Sequence, residues 1–358
     1  MMQTFNKVDL QKKVLLVSHE MTYTGAPRSL LNIAHMLKRA GYMVDVWTIK
    51  DGIFSQEFKK EDIDVCVIDS KIKNLKLNLT QYQFVILNTF FSAHLVTDFQ
   101  KVTKTFLYIR EAQNIFQIAH DCQMDVNDIC MADNVICVSE YAEKFISAYC
   151  MPKKLHVLHN FVNDVYRNDW NIVRDGKIHY LLSGTYEKRK GFDIAIKAFL
   201  SMPENLKKIT CLHIVGRKPE WAREYWEKLE LMYDDRIIDH GEIADENKRY
   251  ALYRKMNVFV IASRDESCSL VALEGAMLGK ALIMSENVGA QYLDKKKAWV
   301  YETEDIGGLC RKMCELTSRK KLILNGLQMR QAYKKTSTEK IYKINFFKLI
   351  TEEEKNGT

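Results

Sequence analysis

Short apolar runs alternate with amphipathic stretches along the whole chain. "KVLLVSH" from Lys13 reads as a buried strand, and "PRSLLNIAHMLKRAG" sets its apolar residues at helical spacing and closes on Gly41. "MVDVWTI", "VCVI", "FVILNT", "TFLYI" and "NVICVS" continue the strands, with "EYAEKFISAYC" as a helix after the last. This series ends near "KLHVLHNFV", and a second begins at "IHYLLSG". There the order is helix "GFDIAIKAFLSM", strand "ITCLHIVG", helix "EWAREYWEKLELMY", strand "RIIDHG", helix "ENKRYALYRKM" and strand "VFVIAS". Such alternation means parallel sheets with crossover helices. The pattern predicts an α/β protein of two doubly wound, Rossmann-like domains facing across a cleft, residues 1–165 and 166–340, joined near "NDVYRNDWNIVRDG".

The 358-residue length suits two domains, and 47% hydrophobic with 28% charged residues is globular composition. The net charge of +7 favours acidic partners mildly. The basic residues are interspersed with acids and follow no nucleic-acid-binding module, so nucleic acid is the weakest of those partners. Nine cysteines carry no C-x-x-C pair and no zinc spacing, and read as reduced thiols of a cytoplasmic protein. No apolar run approaches the ~20 residues that span a bilayer. Neither G-x-x-x-x-G-K-[ST] nor G-x-G-x-x-G follows a first strand, which weighs against ATP hydrolysis and hydride transfer.

In parallel sheets ligands sit outside the carboxyl ends of the strands, so the loops there are where chemistry is sought. After the first strand, "SHEMTYTGAP" offers backbone amides around Gly25 and Ala26 to an anion or a sugar, or is a plain connection. "LLSGTYEKRKGFDIAI" turns tightly at Gly184 and sets Arg189 and Lys190 before Gly191, a fork and a point charge suited to a diphosphate, or a solvated basic turn. "SRDESCSLVALEGAMLGK" holds Glu266 and Glu274 with seven residues between them. Ser267 or Ser269 can cap its helix, whose free N–H groups welcome phosphate oxygens. Glu274 then lies about a turn inside, among Leu270, Val271, Leu273 and Met277. A carboxylate there needs donors, either ribose hydroxyls or a basic neighbour.

Taken together and in this order, these three loops resemble the family-4 retaining glycosyltransferases of the GT-B fold, in the subgroup with a TGAP donor-side loop. "R-K-G" at Arg189 to Gly191, the E-x7-E pair followed by "GAMLGKALI", "LHIVGR" ending near Gly216 and "IIDHGEI" around Gly241 carry the likeness. The resemblance implies that Arg189 and Lys190 neutralise the leaving diphosphate, that Glu266 meets the transferred sugar and that Glu274 binds the donor ribose. Gly25, Ala26, Gly184, Gly216 and the amides of Ser269 and Leu270 would complete the donor site, with the backbone near Glu242 and Ile243 at the base. No metal or other cofactor is implied, because the two cations do the work of a D-x-D-bound ion; Asp62 and Asp64 read as strand-edge residues. The resemblance also implies that the last helix, about 340–358, packs back on the first domain.

Some positions depart from the family pattern. Thr185 stands where an arginine is usual, Ser267 and Ser269 where glycines are, and Arg110 with Glu111 where many members place a histidine near the reacting carbon. Arg110 and Glu111 are therefore reaction-centre or acceptor candidates, or a simple ion pair.

The implied activity is transfer of a hexosyl or N-acetylhexosaminyl group from a nucleoside diphosphate sugar to a saccharide or lipid-linked acceptor, in cell-surface polysaccharide or glycolipid synthesis. A nucleotide-sugar epimerase and a non-catalytic sugar-nucleotide-binding subunit of a polysaccharide assembly complex are the rivals. The lysines of "FSQEFKKEDIDVCVIDSKIKNLKLN" are either a solvated face or a rest on the anionic inner surface of the membrane.

Overall fold

The computed structural model describes residues 12–68, 79–149, 151–167 and 175–355; the stretch of the lysine-rich segment from 69 to 78 lies outside them. The chain forms two compact units. The first comprises Met1–Arg110, Ile115–Cys137 and Ile146–His156, the second Glu111–Asn114, Val138–Phe145 and Val157–Thr358. The change from one to the other at 156/157 comes nine residues before the expected join.

The first unit is built on a seven-stranded sheet of β1 (Lys13–Glu20), β2 (Met43–Lys50), β3 (Val65–Val67), β4 (Phe84–Asn88), β5 (Thr105–Ile109), β6 (Val135–Cys137) and β7 (Leu155–Val157). Its order is β3-β2-β1-β4-β5-β6-β7, and β1 runs parallel to both neighbours. Every residue of β4, β5 and β6 is buried, as expected of strands covered on both faces. The helix Gly25–Arg39 turns Leu30, Ile33, Ala34 and Leu37 inward, the i, i+3, i+4, i+7 spacing of its sequence. It stops where Gly41 takes a left-handed φ of +86°.

The second unit repeats the plan with β8 (Ile178–Ser183), β9 (Thr210–Val215), β10 (Ile237–Asp239), β11 (Val258–Ile261), β12 (Ala281–Ser285) and β13 (Val300–Tyr301) in the order β10-β9-β8-β11-β12-β13. Its core gathers Tyr180, Leu182, Ile214, Val260 and Ile283 from one sheet face with Ile196 and Phe199 from the helix Phe192–Leu200. On the other side Asn325, from the helix Arg319–Thr336, ties into β12 by accepting from Leu282 N–H (3.2 Å) and donating to Leu282 C=O (3.1 Å). The last helix, Glu339–Lys355, counts with this unit, where Tyr342 lies against Phe161 at 4.7 Å between ring centroids. None of the described helices is long and apolar enough to cross a membrane.

Candidate functional site

The second sheet reverses its strand order between β8 and β11, and in open parallel sheets such a switch point opens a crevice at the carboxyl ends of the two strands. Both charged loops leave from there. Lys188–Lys190 make a single 3-10 turn after β8, and Gly191 ends it at φ +65°. A Cβ on Gly191 would sit 1.9 Å from the Ala262 carbonyl oxygen, so only glycine lets the basic turn press against the end of β11. Arg264 N–H then donates to Arg189 C=O at 2.7 Å, which fixes the two loops on each other.

The side chains meet across that seam. Lys190 Nζ bonds Glu266 Oε2, and Arg189 Nη1 lies 3.7 Å from the same oxygen. Arg189 also donates to Glu187 Oε1 (2.6 Å) and to the Asp265 carbonyl (3.0 Å). Burial opposes a charge on Glu266, yet the Lys190 and Arg189 cations outweigh it and hold the carboxyl below its ordinary range. Arg189 is likewise desolvated, and the carboxylates of Glu266, Glu187 and Asp265 raise its pKa nonetheless. Glu266 is pinned through its main chain, N–H to Asn287 C=O at 3.0 Å and C=O to Gly289 N–H at 2.7 Å. Two cations set among the three carboxylates of Glu266, Glu187 and Asp265 leave this cluster without excess positive charge and with two strong anion donors.

Ser269 is the N-cap of the helix Leu270–Met277, its hydroxyl accepting from Ala272 N–H at 3.2 Å. The first-turn N–H groups of Leu270 and Val271 therefore stand at the positive end of the helix, next to the loop that carries Glu266. Glu274 is fully buried on this helix. Its Oε1 lies 3.6 Å from Arg249 Nη2 and 3.4 Å from the Tyr250 hydroxyl, both on the helix Glu246–Tyr253. The carboxylate among apolar neighbours thus has a basic side chain within reach.

Gly184 N–H bonds Val215 C=O and Gly216 N–H bonds Gly241 C=O, each at 2.9 Å, which stitches the exits of β8, β9 and β10 side by side. A Cβ on Gly216 would fall 1.7 Å from the Gly184 carbonyl oxygen. Glu242 is exposed and Ile243 half-buried on the loop after Gly241. Glu111, counted in this unit, is buried.

In the first unit, Gly25 is the first helical residue and Ala26 C=O accepts from Asn88 Nδ2 at 3.4 Å. Arg110 Nε donates to Asn88 Oδ1, and its guanidinium lies 4.2 Å from the Tyr108 ring centroid. Two partners there escaped sequence reasoning. His19 stacks on Phe91 at 4.7 Å and bonds Thr89 through Nδ1 at 3.0 Å, while Thr89 holds a strained φ of +80°. The place of His19 at a strand exit was the available signal; nothing local announced Thr89. Glu187 and Asp265, the other acceptors on Arg189, were missed as well.

Among known proteins, residues 177–319 match the family "Glycosyl transferases group 1" and residues 10–135 "Glycosyl-transferase family 4". No curated protein sequence matches the chain. Anabaena HepE, solved with UDP and with UDP-glucose, superposes with a TM-score of 0.80 at 16% identity, over 95% of this chain and, in these two complexes, 99% or more of that one. A glycosyltransferase from Rickettsia africae superposes at 0.76 with 17% identity, over 95% and 98% of the two chains. Sucrose-phosphate synthase from Thermosynechococcus elongatus does so at 0.74 with 16% identity, again over 95% and 98%.

Proposed function

From the premise that the chain is a GT-B glycosyltransferase of the group 1 and family 4 type, we propose that it moves a sugar from a nucleoside diphosphate sugar to a saccharide or lipid-linked acceptor, with retention at the anomeric carbon. The observation that carries this reading is the Arg189, Lys190 and Glu266 cluster at the switch point of the second sheet. Without a donor the two cations are neutralised by carboxylates. An arriving diphosphate competes for Lys190 and Arg189, and the Glu266 carboxylate it displaces is then free to accept hydrogen bonds from the sugar hydroxyls. As the glycosyl–phosphate bond breaks, negative charge grows on the diphosphate beside both cations, and that growth is what they stabilise. The amides of Ser269 and Leu270 add to the same anion site. The acceptor hydroxyl attacks from the face the diphosphate leaves and gives its proton to the departing phosphate. In this scheme no metal ion is required.

Glu274 is the ribose ligand in this reading, and its contacts with Arg249 and Tyr250 orient the side chain. The loop of Glu242 and Ile243, with Gly184 and Gly216 beneath it, receives the base. Acceptor recognition belongs to the first unit, where Arg110 and Asn88 offer polar groups at the strand exits. HepE, a protein of the same fold, was captured with UDP and UDP-glucose, so uridine diphosphate sugars are the first donors to test. Polysaccharide or glycolipid synthesis, on the cytoplasmic side of an anionic membrane, is the setting in which a lipid-linked acceptor is met.

The test is incubation with a panel of nucleotide sugars, following nucleoside diphosphate release with and without saccharide or lipid-linked acceptors. Acceptor-dependent release supports transfer. A new sugar isomer without release indicates epimerisation, and binding with neither indicates a non-catalytic subunit.

A further inference from the structure

The pieces Glu111–Asn114 and Val138–Phe145 interrupt the sequence of the first unit, yet their contacts assign them to the second. One side chain gathers donors from both. Asp265 is only 7% exposed, and its carboxylate accepts from the N–H groups of Gln113 (3.3 Å) and Asn114 (2.9 Å) and from the Tyr141 hydroxyl (3.0 Å). A carboxylate so far from water is tolerated because donors meet it on both oxygens: Oδ1 takes Gln113 and Tyr141, Oδ2 takes Asn114.

The main chain of the same residue serves the diphosphate centre. Its carbonyl accepts from Arg189 Nη1 at 3.0 Å, and its peptide leads directly into Glu266, the partner of Lys190. Anchoring the Asp265 side chain therefore fixes the carbonyl that aims Arg189 and the bond that carries Glu266.

We propose that Asp265 is a positioning residue for sugar transfer, clamping the Gln113–Asn114 turn and Tyr141 so that Arg189 and Glu266 are held in register for the departing diphosphate. The proposal rests on the reading of Arg189, Lys190 and Glu266 as that centre. Asp265 itself touches neither donor nor acceptor in this role. Displacement of a positioned group by about 1 Å can cost on the order of 10²-fold in rate, which sets the scale of the effect.

Asp265→Asn keeps the size of the side chain, but its amide NH2 must oppose a donor whichever way it is turned. The kcat for transfer should fall roughly 10- to 100-fold, with UDP affinity in calorimetry changed by less than about threefold. Tyr141→Phe removes one of the three donors and should lower kcat in the same direction by less, in a protein that folds normally even if Asp265→Asn does not.

The decisive readout is coupling to Arg189. Arg189→Lys should cost about tenfold or more in kcat in the otherwise unmodified chain, and much less on top of Asp265→Asn or Tyr141→Phe, because the aim of the guanidinium is already lost. A role in folding alone predicts costs that multiply independently. Full kcat in both Asp265→Asn and Tyr141→Phe, or strictly independent effects with Arg189→Lys, overturns the proposal while leaving the transfer reading intact. A chain that releases no nucleoside diphosphate from any donor overturns both.

Discussion

Acidification should destabilise the second unit through one imidazole. His213 on β9 is 7% exposed and stands in a chain of rings, its Nε2 at 2.8 Å from His179 Nδ1 and its Nδ1 at 2.9 Å from His240 Nε2, with Asp175 3.0 Å from the far nitrogen of His179. The rings bond to one another rather than converge on a centre, and among the described residues no such group is placed to hold a metal ion. Burial, and then the neighbouring His179 and His240, pull the His213 pKa from 6.5 to about 4. A neutral histidine in the fold and a protonated one in the unfolded chain mean that the unfolded state binds the extra proton between those two values. The contribution of His213 to stability is complete above about pH 6.5, declines as the pH falls and is fully lost below about pH 4. The difference of some 2.5 units between the two values, at ~1.4 kcal/mol per unit, comes to roughly 3 kcal/mol, of which about 2 kcal/mol is gone at pH 5. Urea unfolding of the second unit at about pH 7.5 and pH 5 reads this directly, in the unmodified chain and in His213→Leu. The stability drop between the two conditions should be about 2 kcal/mol smaller in the variant. An equal drop in both would refute the reasoning.

A pair of left-handed glycines, one in each unit, gives a sharper structural test. Gly191→Ala forces a Cβ onto the Ala262 carbonyl at a left-handed φ of +65° and should cost upwards of about 2 kcal/mol in chemical denaturation. Gly41→Ala, at φ +86° with open space around it, should cost about 1 kcal/mol, and equal costs would contradict the close approach. Glu274→Leu leaves the half-buried Arg249 only its exposed pair with Glu246 (3.5 Å) and should destabilise by about 1–3 kcal/mol. Glu274→Gln keeps an acceptor for Arg249 and Tyr250 and should cost less. Under the ribose reading Glu274→Gln also weakens nucleoside diphosphate sugar binding in calorimetry; unchanged affinity removes Glu274 from the donor site.

Most of the architecture was legible because parallel strands buried on both faces are continuous apolar runs. "TFLYI" coincides with β5, and "MVDVWTI" with all but the last residue of β2. β13 was not read, since two residues, Val300 and Tyr301, display no period. "EWAREYWEKLELMY" has the spacing of one helix but breaks into a 3-10 turn at Glu220–Ala222 and a helix at Arg223–Glu230, behind Pro219. Within the site, Arg189, Lys190 and Glu266 could be found because each follows the end of a strand, and the structure brings the three together. What escaped depends on tertiary placement: the donors to Asp265 come from Gln113, Asn114 and Tyr141, 124 to 152 residues away in sequence. The histidine chain likewise depends on strand register: β8 on β9 sets His179 opposite Cys211 and diagonal to His213, and β10 on β9 brings His240 to the other side of His213. For Glu274 local spacing left two partners open, and the position of Arg249 on a neighbouring helix was information the spacing did not contain.

The central claim is that the cations at the switch point of the second sheet drive departure of a diphosphate. It is tested most directly by the steady-state rate of acceptor-dependent nucleoside diphosphate release in the unmodified chain and in Lys190→Ala. Lys190→Ala leaves the buried Glu266 to Arg189 alone and should lower stability by about 1–3 kcal/mol, far less than its effect on turnover, which is compared in protein shown to be folded. Loss of a preorganised charge donor costs ~10²- to 10³-fold in turnover, and the account predicts a fall of that order. Wild-type turnover by a folded Lys190→Ala protein would contradict it.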